Sequence, residues 1–112
     1  MPTIKENQFL TVLIEFAVDP SPQQAFLDAI ADIVEQHFKS YAGFVSANFH
    51  ASEDGQRVVN YAQWQSKQVW RDSFQASNRN EVQTAIDKVI SRYGVKTLKV
   101  EPFGVMRVIE NA

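Results

Sequence analysis

Residues 49–64 read FHASEDGQRVVNYAQW, and the fold depends on how that stretch pairs. Asp54 and Gly55 separate two runs of alternating residues, the pattern of a β-hairpin closed by a two-residue type I′ turn. Such a turn sets Glu53 opposite Gln56, Phe49 opposite Asn60, Ala47 opposite Ala62 and Val45 opposite Trp64. Side chains alternate along a strand, so Val45, Ala47, Phe49 and Ala51 share a face with Val58, Asn60, Ala62 and Trp64. That face is apolar enough to meet helices. It also carries an amide that needs a partner or a task, since an unpaired buried amide costs roughly 1–3 kcal/mol. The opposite face holds Phe44, Ser46, Asn48 and His50 with Arg57, Val59, Tyr61 and Gln63, too polar for a core and too aromatic for plain solvent.

Upstream, FLTVLIEFAV over residues 9–18 is apolar at both parities except at Thr11 and Glu15, which predicts a central strand. Ser21, Pro22 and Gln24 supply the N-cap, first-turn and capping-box residues of a helix. Its apolar stripe is Phe26, Leu27, Ile30, Ile33, Val34, His37 and Phe38, and it ends before Gly43. His37 reads there as a packing residue. Downstream, Ser66 caps a short helix bearing Trp70 and Phe74. Asn78 with Glu81 opens a longer helix carrying Val82, Ala85, Ile86, Val89, Ile90 and Tyr93, which stops at Gly94. The tail VKTLKVEPFGVMRVIE is β-rich but interrupted by Pro102 and Gly104, which predicts an edge strand with a break.

Strand, helix, strand, strand, helices, strand is the ferredoxin-like split βαβ order, an α+β class, here as one domain over residues 1–112. Its helices cover one face of the sheet only. The face with Phe44, Val59 and Tyr61 is therefore expected to be covered by a second copy, as a homodimer packed sheet on sheet.

Composition narrows the function. A chain of 112 residues is too short for a dinucleotide-binding domain plus a substrate domain. The formal net charge is -2 and no run of Lys or Arg occurs, so no nucleic acid partner is expected. With no cysteine there is no thiolate nucleophile and no Cys-based metal site. Gly43, Gly55, Gly94 and Gly104 are isolated, so no phosphate-cradling loop forms, and His37 and His50 lack metal-ligand spacing. No metal and no cofactor is expected. The start, MPTIKENQF, has neither the basic end nor the apolar core of a signal peptide, and no apolar run suits a bilayer. The expected setting is cytoplasmic, with no membrane partner.

The element order, together with HASEDGQRVVNYAQWQS and the following SKQVWRDSF, resembles the antibiotic biosynthesis monooxygenase family over nearly the whole chain. Within it the resemblance is to the anthrone oxygenases of aromatic polyketide pathways, the actinorhodin pathway's among them. It implies a dimeric α+β barrel that oxidises a phenolic or anthrone-type polycycle to a quinone with O2, without flavin, haem or metal. It also implies that Asn60 and Trp64 are catalytic, in a pocket lined by Phe49, Trp70, Phe74 and Gln83. The chain departs from those oxygenases at several positions. They carry tyrosines where it has Phe49 and Trp70, and an arginine where it has Gln83 or Thr84; Arg71 and Arg79 are the nearby cations. Haem-degrading relatives add a histidine on the helix after the tryptophan, and this chain has none after His50. The alternative is a non-catalytic dimeric binder of a small aromatic ligand, with Asn60 bonded to backbone and Trp64 filling the core.

Overall fold

The apolar run after residue 9 becomes β1 (Leu10–Ala17), one of two inner strands of an antiparallel sheet. The computed structural model describes residues 9–111, and the leader expectation for MPTIKENQ lies outside the described residues. After β1 come α1 (Gln23–His37), a 3-10 turn (Phe38–Ser40), β2 (Phe44–Ser46), β3 (Phe49–Ala51), β4 (Arg57–Trp64), α2 (Lys67–Ser73), α3 (Arg79–Arg92) and β5 (Lys96–Gly104). The sheet order is β2-β4-β1-β5, with β3 also on β4. Taking β2 and β3 as one broken strand, this is the ferredoxin-like arrangement expected.

The hairpin keeps its register but not its turn. Phe49 lies opposite Asn60 and Ala51 opposite Val58, as expected. The turn, however, is a four-residue loop between Ser52 and Arg57, with the Ser52 N–H donating to Arg57 O and the Gly55 N–H to Ser52 O, each at 3.1 Å. Gly55 takes φ +78°, which a glycine adopts without strain. The Asp54 carboxylate decides the geometry: it accepts from the Gln56 N–H at 2.9 Å and from the Ser52 hydroxyl at 2.7 Å. This side-chain turn replaces the type I′ turn. The same two bonds, Gln56 first, hold the Asp54 carboxyl below its ordinary value.

A slip of register between Phe44 and Ser46 corrects the expected faces. Ser46 still pairs with Gln63, but Phe44, rather than Val45, pairs with Trp64. A one-residue slip turns a side chain to the other face. Phe44 accordingly lies on the helix side, packed on Trp64 and Phe38 at ring-centre distances of 5.2 and 6.1 Å. It leaves the outer face, where Val59 and Tyr61 remain.

Two of the three predicted caps are not made. Pro22 rather than Ser21 stands at the N-cap of α1, with no side-chain bond, and Gln24 donates to Asp28 Oδ1 at 3.0 Å instead of reaching back. The Gln23 amide ties the first turn to Ser52 O and Arg57 O of the hairpin loop at 3.1 and 2.9 Å. Asn78 precedes α3 as expected, but its Oδ1 accepts from the Tyr41 hydroxyl at 2.9 Å. Ser66 caps α2 by accepting from the Val69 N–H at 3.2 Å. In β5 the irregularity opposes Glu15 and Phe16, not Pro102. Pro102 is tolerated because β5 pairs on one side only, so its missing donor faces no strand.

The helices bury two clusters against the sheet. One joins Phe16, Phe26, Ile30 and Val58, with Phe26 edge-on to Phe16 at 5.1 Å. The other joins Val12, Ala62 and Trp64, with Phe38, Val69 and Trp70 packed against them.

Candidate active site

Between those clusters lies a cavity of about 260 Å³. This is just below the roughly 300–1,000 Å³ of sites for small organic ligands. Its floor is the helix-facing row of the sheet: Val12, Ile14 and Phe16 from β1, with Asn60, Ala62 and Trp64 from β4. Phe44, Ala47 and Phe49 extend the floor; Ile30, Trp70, Phe74, Arg79, Gln83 and Ile86 rise from the helices; Val100 of β5 closes one side.

Asn60 is 4% exposed, and its orientation is set by the break between β2 and β3. The Asn48 backbone N–H donates to its Oδ1 at 3.0 Å. A backbone N–H can only donate, so the amide oxygen is fixed and the NH2 group is left over. Among the described residues no protein group accepts from it. Trp64 is 2% exposed, wedged between Phe44 and Phe38 with ring centres at 5.2 and 6.3 Å. Its indole N–H likewise has no acceptor among the described residues. Neither donor is sealed into the packing, unlike Gln63 Nε2 on the other face of β4, and both residues line the cavity.

The polar rim is sparse. Gln83 is exposed and donates to the Asp87 carboxylate at 3.0 Å, and both stand at the cavity edge. Ser73 also lines it and donates to Trp70 O at 2.6 Å. Arg79 crosses the wall with its guanidinium carbon 4.8 Å from the centre of the Phe74 ring and 5.2 Å from that of Phe38. Among the described residues, no group of three or more His, Asp or Glu side chains is placed to hold a metal ion. No helix among them is long and apolar enough to cross a membrane.

A family model described as antibiotic biosynthesis monooxygenase matches residues 9–87, a span running from β1 into α3. The chain belongs to the antibiotic biosynthesis monooxygenase family. Over 72 residues, 63% of its length, this family member is 42% identical to the tetracenomycin-F1 monooxygenase of Streptomyces glaucescens, and the match spans 64% of that protein. Its fold matches a Streptomyces coelicolor monooxygenase from the gene ActVA-Orf6, solved in complex with nanaomycin D, with TM-score 0.72 and 32% identity over 94% of this chain and 93% of the other. SnoaB, a cofactor-independent oxygenase from Streptomyces nogalater, shares the fold with TM-score 0.65 and 15% identity over 93% of this chain and 99% of its own.

In this monooxygenase-family chain the six residues singled out from sequence, Asn60, Trp64, Phe49, Trp70, Phe74 and Gln83, all border the one cavity. Their depth differs: Asn60 and Trp64 are buried, whereas Phe74 is 45% exposed and Gln83 lies at the edge. Thr84, the other position aligned with the family arginine, is exposed and bonds Asn80 O at 2.9 Å. Arg71 is exposed, and His37 lies half-buried on α1; neither is among the cavity residues. Sequence reasoning missed Phe44, hidden by the register slip, and left Arg79 unplaced. A signal for Arg79 existed: it precedes Val82 by three positions and Ile86 by seven, on the inward stripe of α3.

Proposed function

We propose that the chain is a cofactor-independent monooxygenase that oxidises a phenolic or anthrone-type polycycle to a quinone with O2. The observation that carries this reading is the pair of neutral donors, the Asn60 amide and the Trp64 indole, without acceptors among the described residues on the floor of an apolar cavity. They are four residues apart on one strand, about 13 Å between Cα atoms at the usual rise, so they address a flat ligand at separate points along its length.

An anthrone CH2 group loses a proton to become an electron-rich enolate. The enolate passes one electron to O2, the two radicals combine into a carbon hydroperoxide, and loss of water leaves a carbonyl. The balance is CH2 plus O2 giving C=O plus H2O, so the substrate is its own reductant. The protein's part is to favour the anion and the oxygenated intermediate. Asn60 donates to the developing enolate oxygen; Trp64 donates to a carbonyl or hydroperoxide while its ring covers the substrate. Fixed donors in a dry site do this at little reorganisation cost. The names of the S. glaucescens and S. coelicolor relatives support oxygenation, and nanaomycin D in the latter supports a small-molecule occupant.

The active form in this reading is a homodimer. On the outer sheet face Val59 is only part-covered and Tyr61 is 40% exposed, and a second copy packed on that face would cover them.

The competing reading, a binder without turnover, draws on the absent hydroxyls at Phe49 and Trp70. Oxygen uptake separates the two. With dithranol in an oxygen electrode, the native protein should consume about one O2 per anthraquinone formed, heat-treated protein should not, and exhaustive dialysis against EDTA should leave the rate unchanged. A native rate equal to the heat-treated control leaves only the binder.

A further inference from the structure

Arg79 sets a cation in the cavity wall, and among the described residues no carboxylate pairs with it. Its Nε and Nη1 are sealed in the packing without a hydrogen-bond partner, whereas Nη2 is not among the sealed atoms and is the edge of the part-exposed guanidinium that a ligand can meet. The Asp87 carboxylate at the cavity edge accepts from Gln83 and forms no ion pair with Arg79, and the Asn78 Oδ1 accepts from Tyr41. Phe38 and Phe74 lie against the guanidinium at 5.2 and 4.8 Å. Aromatic faces offset part of the desolvation of a cation, but they do not accept from N–H groups that point outward in the guanidinium plane. A buried charge is ordinarily paired, because an uncompensated one costs several kcal/mol. The wall of an otherwise apolar cavity is where a ligand could complete it.

We infer that Arg79 is a substrate-binding residue that receives an anionic oxygen, a carboxylate or an ionised phenol, carried by the aromatic ligand of the cavity, an inference that rests on reading that cavity as the substrate site. The two phenylalanines lie against the guanidinium beside an otherwise apolar lining, where a charge-assisted hydrogen bond is stronger than in water. Arg79 thereby selects acidic polycycles over neutral ones of the same shape.

The test is a binding measurement that needs no turnover. Quenching of tryptophan fluorescence at about pH 8, where phenols as acidic as alizarin's and all carboxylic acids are ionised, gives Kd for three anthraquinones: rhein, which carries a carboxylate; aloe-emodin, in which a hydroxymethyl group replaces it; and alizarin, which carries an acidic phenol. Wild-type protein should bind rhein or alizarin about tenfold or more tightly than aloe-emodin. Arg79→Gln should abolish that preference while holding the aloe-emodin Kd within about twofold, and Arg79→Lys should retain part of it. Loss for rhein alone assigns a carboxylate, and loss for alizarin alone assigns a phenolate. No preference in the wild type, a preference that survives in Arg79→Gln, an equal loss for all three ligands, or no binding of any of them overturns the inference. A preference that depends on Arg79, with no dithranol-dependent oxygen uptake, retires the oxygenase reading and leaves this inference standing.

Discussion

The amide of Asn60 serves both scaffold and cavity: its oxygen holds the Asn48 N–H at 3.0 Å, its NH2 has no acceptor among the described residues, and the residue lines the site. Asn60→Ala therefore has two expected effects. Loss of the Asn48 bond should cost about 1 kcal/mol of stability. Loss of the donor should lower kcat by about a hundredfold. Asn60→Asp keeps the acceptor for Asn48 but sets an unpaired carboxylate in an apolar cavity, so turnover should fall as far and the thermal midpoint at neutral pH should fall further than in Asn60→Ala. Trp64→Phe retains most of the aromatic surface and deletes the indole N–H; ligand affinity should be spared more than turnover. A drop in thermal midpoint with no specific rate defect would make Trp64 a packing residue only. The inward direction of both residues was legible in the alternation of VVNYAQW. That of Phe44 was not, because the slip between Phe44 and Ser46 depends on bonds of the Asn48 side chain to Ser46 and Tyr61, at 3.2 and 2.8 Å, which no local pattern encodes.

Elements were more legible than the contacts at their ends. Every strand and helix lies close to where apolar period and turn residues put it, since burial of a stripe or a face leaves a strong periodic mark. Two caps misled: Asn78 spends its side chain on Tyr41, and the N-cap of α1 falls one residue after Ser21, at Pro22, while Gln24 bonds forward to Asp28. One glycine controls how an element docks. Gly43, at φ +81°, accepts the Gln65 N–H at its carbonyl, and a Cβ built there would stand 2.4 Å from Val69 Cγ2 and 2.6 Å from Val69 Cβ. Gly43→Ala should combine left-handed strain with displacement of α2, costing about 2 kcal/mol or more, seen as a thermal midpoint lower by roughly 10 °C. Since α2 carries Trp70, the variant should also weaken binding of aromatic ligands. At the hairpin loop the sign of the pH effect follows from Asp54. Its carboxyl is held below the ordinary value by Gln56 and Ser52, so their bonds are fully present above about pH 3.9 and are lost as pH falls through the lowered value. The Gln56 amide resonance should shift in that acid range in the wild type and stay flat in Asp54→Asn.

For the molecule as a whole, sheet topology could be derived from element order, but the role of the outer face could not, because alternation marks a face without naming what covers it. Tyr61→Asp tests the proposed homodimer. A charge placed without a partner in a packed sheet-on-sheet interface should cost several kcal/mol of association. Sedimentation at micromolar concentration should show a wild-type dimer and a variant monomer; a monomeric wild type removes the proposal. The inner position of β1 carries a further consequence, for the order in which the chain assembles. Leu10 pairs with Trp64 on one side and with Gly104 on the other, so the earliest strand in the sequence completes its bonding through the most distant contacts. Loops that long close slowly, and chains dominated by such pairings refold in milliseconds to seconds rather than microseconds. Exposed on both faces and paired only to β1, β5 closes the longest loop of the sheet and is expected to be gained last, and its Val100 is a wall of the cavity. A refolding chain should therefore recover far-ultraviolet dichroism before it recovers the ability to bind an aromatic ligand, and stopped-flow refolding in the presence of rhein should show fluorescence quenching only in the slowest phase.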